Sequence, residues 1–146
     1  MTSRRSFLQA SLGAGLLAAA GRVPGQSGMR ILVLGGTGFI GPHLVQYALD
    51  RGHTLTLFNR GRSNTHLFPT VEKLVGDRND NLAALEGRRW DAVIDNSGYT
   101  PQQVQMSIDL LKDRCDQYLF TSTRAVYTDY TQAVMDEYAP VGPTDL

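Results

Sequence analysis

The feature that most constrains this chain is an apolar run that passes directly into a glycine cluster. Arg30-Ile31-Leu32-Val33-Leu34 is followed at once by Gly35-Gly36-Thr37-Gly38-Phe39-Ile40-Gly41. A short apolar run closed by turn residues reads as a central parallel strand covered on both faces. The cluster contains both G-x-G-x-x-G and G-x-x-G-x-x-G. Such spacing gives a turn tight enough for backbone amides to face a pyrophosphate at the start of a helix. The last glycine lets that helix pack close to the strand.

The following residues keep to this plan. A helix is predicted over 39–50, with Leu44, Val45, Ala48 and Leu49 facing inward and Pro42 in the first turn, where a missing N–H costs nothing. Arg51 and Gly52 supply a cation and a C′ glycine at its end. His43 on this helix reads as a surface or packing residue. The alternation over 54–58 predicts the second strand. Strand, glycine loop, helix and strand in that order make Gly35, Gly36, Thr37, Gly38, Phe39, Ile40 and Gly41 a dinucleotide-binding loop.

The end of the second strand speaks to which dinucleotide. NAD-selective sites commonly place an acid there for the ribose hydroxyls. This chain has Asn59-Arg60-Gly61-Arg62 instead. Asn59, Arg60 and Arg62 therefore join the expected cofactor site, and two guanidinium groups able to fork onto a 2′-phosphate favour NADP over NAD. The alternative is that both arginines are solvated loop residues.

Further along, 71–75 is a plausible third strand closed by Gly76-Asp77, and Asp80 is placed to cap a short helix over 81–86. Residues 92–95 form the fourth strand and run into Asn96-Ser97-Gly98. Thr100-Pro101 is an N-cap and first-turn proline for a helix reaching Arg114, with Val104, Ile108 and Leu111 on its apolar face. Residues 117–121 give a fifth strand. The β–α alternation predicts an α/β fold, a Rossmann-type doubly wound parallel sheet of about five strands in the order 3-2-1-4-5. The lone Cys115 cannot form an internal disulfide and reads as a small packing residue, so stability comes from the core. No metal site is expected.

Over 29–127 the chain resembles the NAD-dependent epimerase/dehydratase family of the extended or atypical short-chain dehydrogenase/reductase superfamily. The resemblance rests on the glycine loop, on Gly76-Asp77-Arg78-Asn79-Asp80, and on Phe120-Thr121-Ser122-Thr123-Arg124-Ala125-Val126-Tyr127. It implies that Asp77 lies at the adenine, that Arg78 belongs to the cofactor site, and that Asn96, Ser97 and Gly98 line the cofactor near the ribose. Thr123 matches the hydroxyl that hydrogen-bonds the reacting substrate oxygen; read without the family, it is a strand-capping hydroxyl. The implied function is NAD(P)-dependent epimerase, dehydratase or reductase chemistry, with hydride transfer at a carbinol or carbonyl carbon. The implied substrate is a nucleotide sugar or another hydroxylated, polyol-like small molecule. One departure matters: the family's acid/base pair, Tyr-x-x-x-Lys, in which the lysine charge lowers the phenol's pKa, does not occur here. Tyr127 is the weaker catalytic candidate left. A family member would continue with a sixth strand and a substrate lobe, so the chain reads as the N-terminal portion of a longer protein. The alternative function is a non-catalytic NAD(P)-binding protein, sensing redox state or binding a macromolecule. With Lys+Arg 14 against Asp+Glu 14, charge is balanced and no nucleic-acid partner is expected. Homodimerisation stays open.

The first residues are an address. Arg4-Arg5 precedes an apolar run from Phe7 to Ala20, shorter than the ~20 apolar residues needed to span a membrane. A basic start, an apolar middle and Ala18-Ala19-Ala20 as cleavage site make a secretory signal, and Ser3-Arg4-Arg5-Ser6-Phe7-Leu8 resembles the bacterial twin-arginine motif. The expected organisation is a signal peptide over 1–20, a flexible spacer over 21–28 and a Rossmann domain over 29–146. The expected location is periplasmic or extracellular, reached through the twin-arginine translocation machinery. Replacing Arg4 and Arg5 by Lys should strand the protein in the cytoplasm, as followed by cell fractionation. Unchanged export of that double variant would remove the assignment.

Overall fold

A computed structural model describes residues 28–128, 131 and 136–142. The expected signal segment over 1–20 and all of the spacer but Gly28 lie outside the described residues. Five strands form one sheet: β1 (Arg30–Leu34), β2 (Thr54–Asn59), β3 (Glu72–Val75), β4 (Ala92–Asp95) and β5 (Gln117–Phe120). Their order is β3-β2-β1-β4-β5, and every pairing is parallel. Leu32 of β1 stands between Thr56 and Val93, which fixes the register at the centre.

Each sheet face has its own core, as the continuous apolar pattern of β1 requires. On one side Ile31, Val33, Leu55, Leu57 and Ala92 pack with Val45 and Ala48 of α1 (Gly41–Asp50). On the other, Leu32, Leu34, Phe58 and Val93 pack with Leu85, Trp90 and Leu111. Leu111 closes α2 (Pro101–Leu111), whose N-cap Thr100 accepts from the Gln103 amide.

Local boundaries differ from expectation for identifiable reasons. Helix α1 begins at Gly41 and not at 39, because Phe39 holds a left-handed φ of 50° that no helix residue adopts. The helix expected over 81–86 shortens to a 3₁₀ turn, Ala83–Leu85. Asp80 does not cap it. The main chains of Asp77 and Asn81 pair instead as an antiparallel bridge, and the Asn81 side chain accepts from the Ala83 amide. Helix α2 ends at Leu111, and Lys112 to Arg114 turn away towards β5. Its most buried positions are Ser107 and Leu111, whereas Val104 and Ile108 are only half-buried.

A hydroxyl faces inward at Ser107 because a charge is buried there. Asp95, at the end of β4, has no exposed surface, and both its oxygens accept from Arg78. Arg78 Nη2 also donates to Ser107 Oγ at 3.0 Å and to the Gln103 carbonyl at 3.1 Å. The Tyr118 phenol of β5 donates to Asp95 Oδ2 at 2.7 Å. Burial first, and then that carboxylate, push the Tyr118 pKa well above the ordinary phenol value. Removing one partner of a buried pair strands the other charge, at about 3–5 kcal/mol. Asp95→Ala should therefore lower unfolding stability by about that amount in urea titration, and Arg78→Met added to it should restore part of the loss. A loss below about 1 kcal/mol for Asp95→Ala would show that the pair does not hold the fold.

Candidate functional site

The strand order reverses between β1 and β4, and the loops leaving the carboxyl ends of β1 to β4 enclose a cleft of about 230 Å³. Open α/β sheets bind ligands at this switch point.

The glycine loop is built by two opposite demands. Gly35 and Gly36 have φ of 108° and 96°, which other residues rarely adopt. Gly41 must be glycine for contact: a Cβ there would lie 2.7 Å from Gly36 Cα. That approach brings the first turn of α1 directly against the loop. Gly38 is different, because a Cβ at that position meets nothing within 4 Å. Among the described residues, the amides of Thr37, Gly38, Phe39 and Ile40 have no protein acceptor. Phe39 is 96% exposed, so its ring contributes nothing to the described core.

Eight of the residues expected at a cofactor line the cleft together: Gly35, Thr37, Asn59, Arg60, Arg62, Asp77, Arg78 and Ser97. Gly36 and Gly41 are buried beneath the loop, and Gly38, Phe39 and Ile40 form its exposed outer part. Asn96 and Gly98 lie off the cleft wall. A Cβ at Gly98 would crowd Val104 and Phe120, so its smallness serves packing. Arg78 faces the cleft but commits both terminal nitrogens to Asp95, Ser107 and Gln103, which makes it part of the wall. Ser97 is tied down in the same way, donating to the Leu34 carbonyl at 2.9 Å.

Arg60 and Arg62 are exposed, and among the described residues neither has a hydrogen-bond or salt-bridge partner. Their charge is still felt. Asp77 is held below the usual carboxylate range by the Asn79 amide at 3.0 Å, then by the Asn79 side chain and by Arg60 and Arg62. Among the described residues, two buried side-chain amide nitrogens have no partner, Asn59 Nδ2 and Asn96 Nδ2. Free loop amides, unpaired guanidinium groups and open space at Gly38 fit a bound dinucleotide.

Thr123 and Tyr127 stand beyond the end of β5 and do not line the cleft. Thr123 Oγ1 accepts from the Ala125 amide at 3.2 Å and caps a 3₁₀ turn, Arg124–Val126, leaving its O–H to donate elsewhere. Sequence reasoning did not anticipate Ser63, Asn79, Tyr99 and Gln103 on the cleft wall, nor the Asp95 cluster beneath it. The one legible signal for the latter was a carboxylate closing an apolar strand.

The sequence profile of the NAD dependent epimerase/dehydratase family matches residues 31–145. The chain is 30% identical over 121 residues to the chloroplast stem-loop binding protein of 41 kDa b of Arabidopsis thaliana, covering 72% of this chain and 32% of that one. It is 47% identical over 61 residues to a 3 beta-hydroxysteroid dehydrogenase/Delta 5→4-isomerase of Mycobacterium tuberculosis, covering 40% of this chain and 16% of that one. Among solved structures, a UDP-galactose 4-epimerase superposes with a TM-score of 0.68 at 23% identity, over 79% of this chain and 45% of the other. The Bordetella bronchiseptica enzyme WbmG in complex with NAD gives 0.67 at 18%, over 83% and 46%. The chain thus spans about a third or less of these curated relatives and under half of these structures.

Proposed function

The chain belongs to the NAD dependent epimerase/dehydratase family, and from that premise we propose that it holds NADP in preference to NAD and serves hydride transfer at a carbinol or carbonyl carbon. The observation that carries this is the glycine loop, whose four unpaired amides stand beside a glycine that the protein itself does not require to be small. The amides of Thr37 to Ile40 take the pyrophosphate. Gly38 leaves it room. Arg60 and Arg62 fork onto the 2′-phosphate, with no acid at the end of β2 to repel it. The bound nicotinamide supplies the hydride acceptor and donor. Thr123 directs its free O–H to the substrate oxygen, and Tyr127 is the candidate to move the proton. Tyr118 is excluded from that role because its proton is held by Asp95.

A nucleotide-sugar-like or otherwise hydroxylated substrate is supported by relatives and neighbours named for UDP-galactose and for a hydroxysteroid. The twin-arginine-like leader makes the protein an exported one in this reading. A second reading, a non-catalytic NAD(P)-binding protein, is supported by the relative named for stem-loop binding and by the missing Tyr-x-x-x-Lys pair. Balanced charge argues against a polyanionic partner.

One set of measurements tests both. The full-length gene product should bind NADPH more tightly than NADH, and Gly38→Val should abolish binding of each. Removing both guanidiniums (R60A/R62A) should cost NADPH about 1–3 kcal/mol and leave NADH nearly unchanged. In single-turnover assays with a panel of UDP-sugars, absorbance of reduced nicotinamide should appear. Binding without any such signal would select the second reading. Equal losses for both cofactors in R60A/R62A would end the NADP assignment.

A further inference from the structure

The loop carrying Arg60 and Arg62 joins β2 to β3 with no regular structure of its own, and residues 60–66 are exposed. A free loop of this kind would spread its guanidinium groups over many positions, and ordering them on binding would weaken any phosphate contact. The structure shows the segment fixed at both ends. At its start, Asn59 Oδ1 accepts from the Gly61 amide at 2.8 Å, and Gly61 turns the chain at a φ of 65°. At its end, Asn64 Nδ2 donates to the Thr37 carbonyl at 2.8 Å, in a part-buried bond. Thr37 is a glycine-loop residue, 27 positions away. Behind Asn64, Lys73 Nζ donates to the Thr65 carbonyl at 2.8 Å, and Phe68 and Val71 pack against the α1-side core.

Backbone conformation points to the same segment. Among the described residues, three without a glycine's freedom hold a positive φ: Phe39, Asn64 and Phe68. One lies in the glycine loop and two in this strap. Asn is among the residues that accept the left-handed region most readily, so position 64 meets a backbone need and a side-chain need together.

We propose that Asn64 is a positioning residue for cofactor specificity: its clip onto the Thr37 carbonyl fixes Arg60 and Arg62 at a set distance from the pyrophosphate loop. The inference rests on the reading of these arginines as 2′-phosphate ligands. It makes discrimination a property of two loops joined together. The clip acts by having the arginines already in place when the dinucleotide arrives, and it touches no ligand itself.

NADP⁺ and NAD⁺ differ only in that phosphate, so their ratio isolates the effect. Asn64→Gly is the main variant, because glycine adopts the φ of 50° without steric strain while the side chain that makes the bond is removed; Asn64→Asp controls for the backbone freedom that glycine adds. Calorimetric titration of the full-length product should show NADP⁺ affinity falling about three- to tenfold, the range for one hydrogen bond. NAD⁺ affinity should stay within about twofold. Asn64→Asp, which offers the Thr37 carbonyl no donor, should lose at least as much. In the R60A/R62A background, Asn64→Gly should produce no further selective loss, whereas a merely structural role would give the same loss with or without the arginines. An unchanged NADP⁺/NAD⁺ ratio in both Asn64 variants, alongside a loss in R60A/R62A, would overturn the clip alone. No NADP⁺ preference in the wild type, with R60A/R62A equally without effect on the ratio, would overturn the arginine reading and the clip with it.

Discussion

The buried carboxylate of Asp95 organises the carboxyl edge of the sheet. It sits where β4 meets the cleft, with no exposed surface, and an unpaired charge there would cost several kcal/mol. The cation that answers it comes from the loop after β3, which lies on the far side of β1 and β2 in strand order. To reach Asp95, Arg78 must carry that loop across the strand ends, and the crossing forms one wall of the cleft. The remaining oxygen capacity of Asp95 holds Tyr118 and so fixes β5, while the remaining donors of Arg78 hold α2 through Ser107 and Gln103. The cleft is shaped by a charge that needed a partner, before any ligand enters it.

The glycine loop solves the opposite problem. Around Asp95, the side chains of Arg78, Ser107 and Tyr118 are bonded into one cluster, with Arg78 Nε the one buried atom of it that lacks a partner among the described residues. In the loop, the close approach of Gly41 to Gly36 sets the helix start against the turn; the Ile40 carbonyl accepts the first helical bond, from Leu44, while among the described residues the amides of Thr37 to Ile40 find no acceptor. A wall of mutually bonded side chains and a loop with open donors face the same space. The wall contributes rigidity and the loop contributes affinity for an anion, which is the division that preorganised binding requires.

This division also explains what could be read in the chain before folding. The parallel sheet, its order and the glycine loop were legible because each follows from short-range steric and periodic rules: apolar strands, a Gly-rich turn, a Thr-Pro helix start. The starting point of α1 was not, because nothing local announces that Phe39 is left-handed. The apolar pattern of α2 points to Val104 and Ile108 and not to Ser107, whose burial depends on Arg78, 29 positions away. The clip from Asn64 to Thr37 spans 27 positions and has no periodic signature. Among cleft residues, those named by the glycine motif and the strand ends were found. Asn79 and Tyr99 reach the site on loops, and Gln103, in the first turn of α2, joins them by side-chain bonds to both, which no local pattern announces.

The charges in the cleft limit what can distinguish one dinucleotide from another. Asp77 is held ionised by the Asn79 amide before any contribution from the arginines, so it remains a negative charge across the neutral range. Beside it stand two guanidiniums without salt-bridge partners among the described residues. The local surplus is a single positive charge in an open, solvated cleft, where screening keeps a pairwise attraction to about 1 kcal/mol at 4 Å. Charge excess alone therefore selects weakly. What can add selectivity is geometry, two planar forks presented at a fixed distance from the glycine loop. Asn59 and Asn64 bracket the arginines, both with side-chain amides bonded to main chain, and on the proposed reading they set that distance. On the proposed reading, selectivity then resides in the backbone positions of two loops, and the arginines are effective only as far as those positions are held.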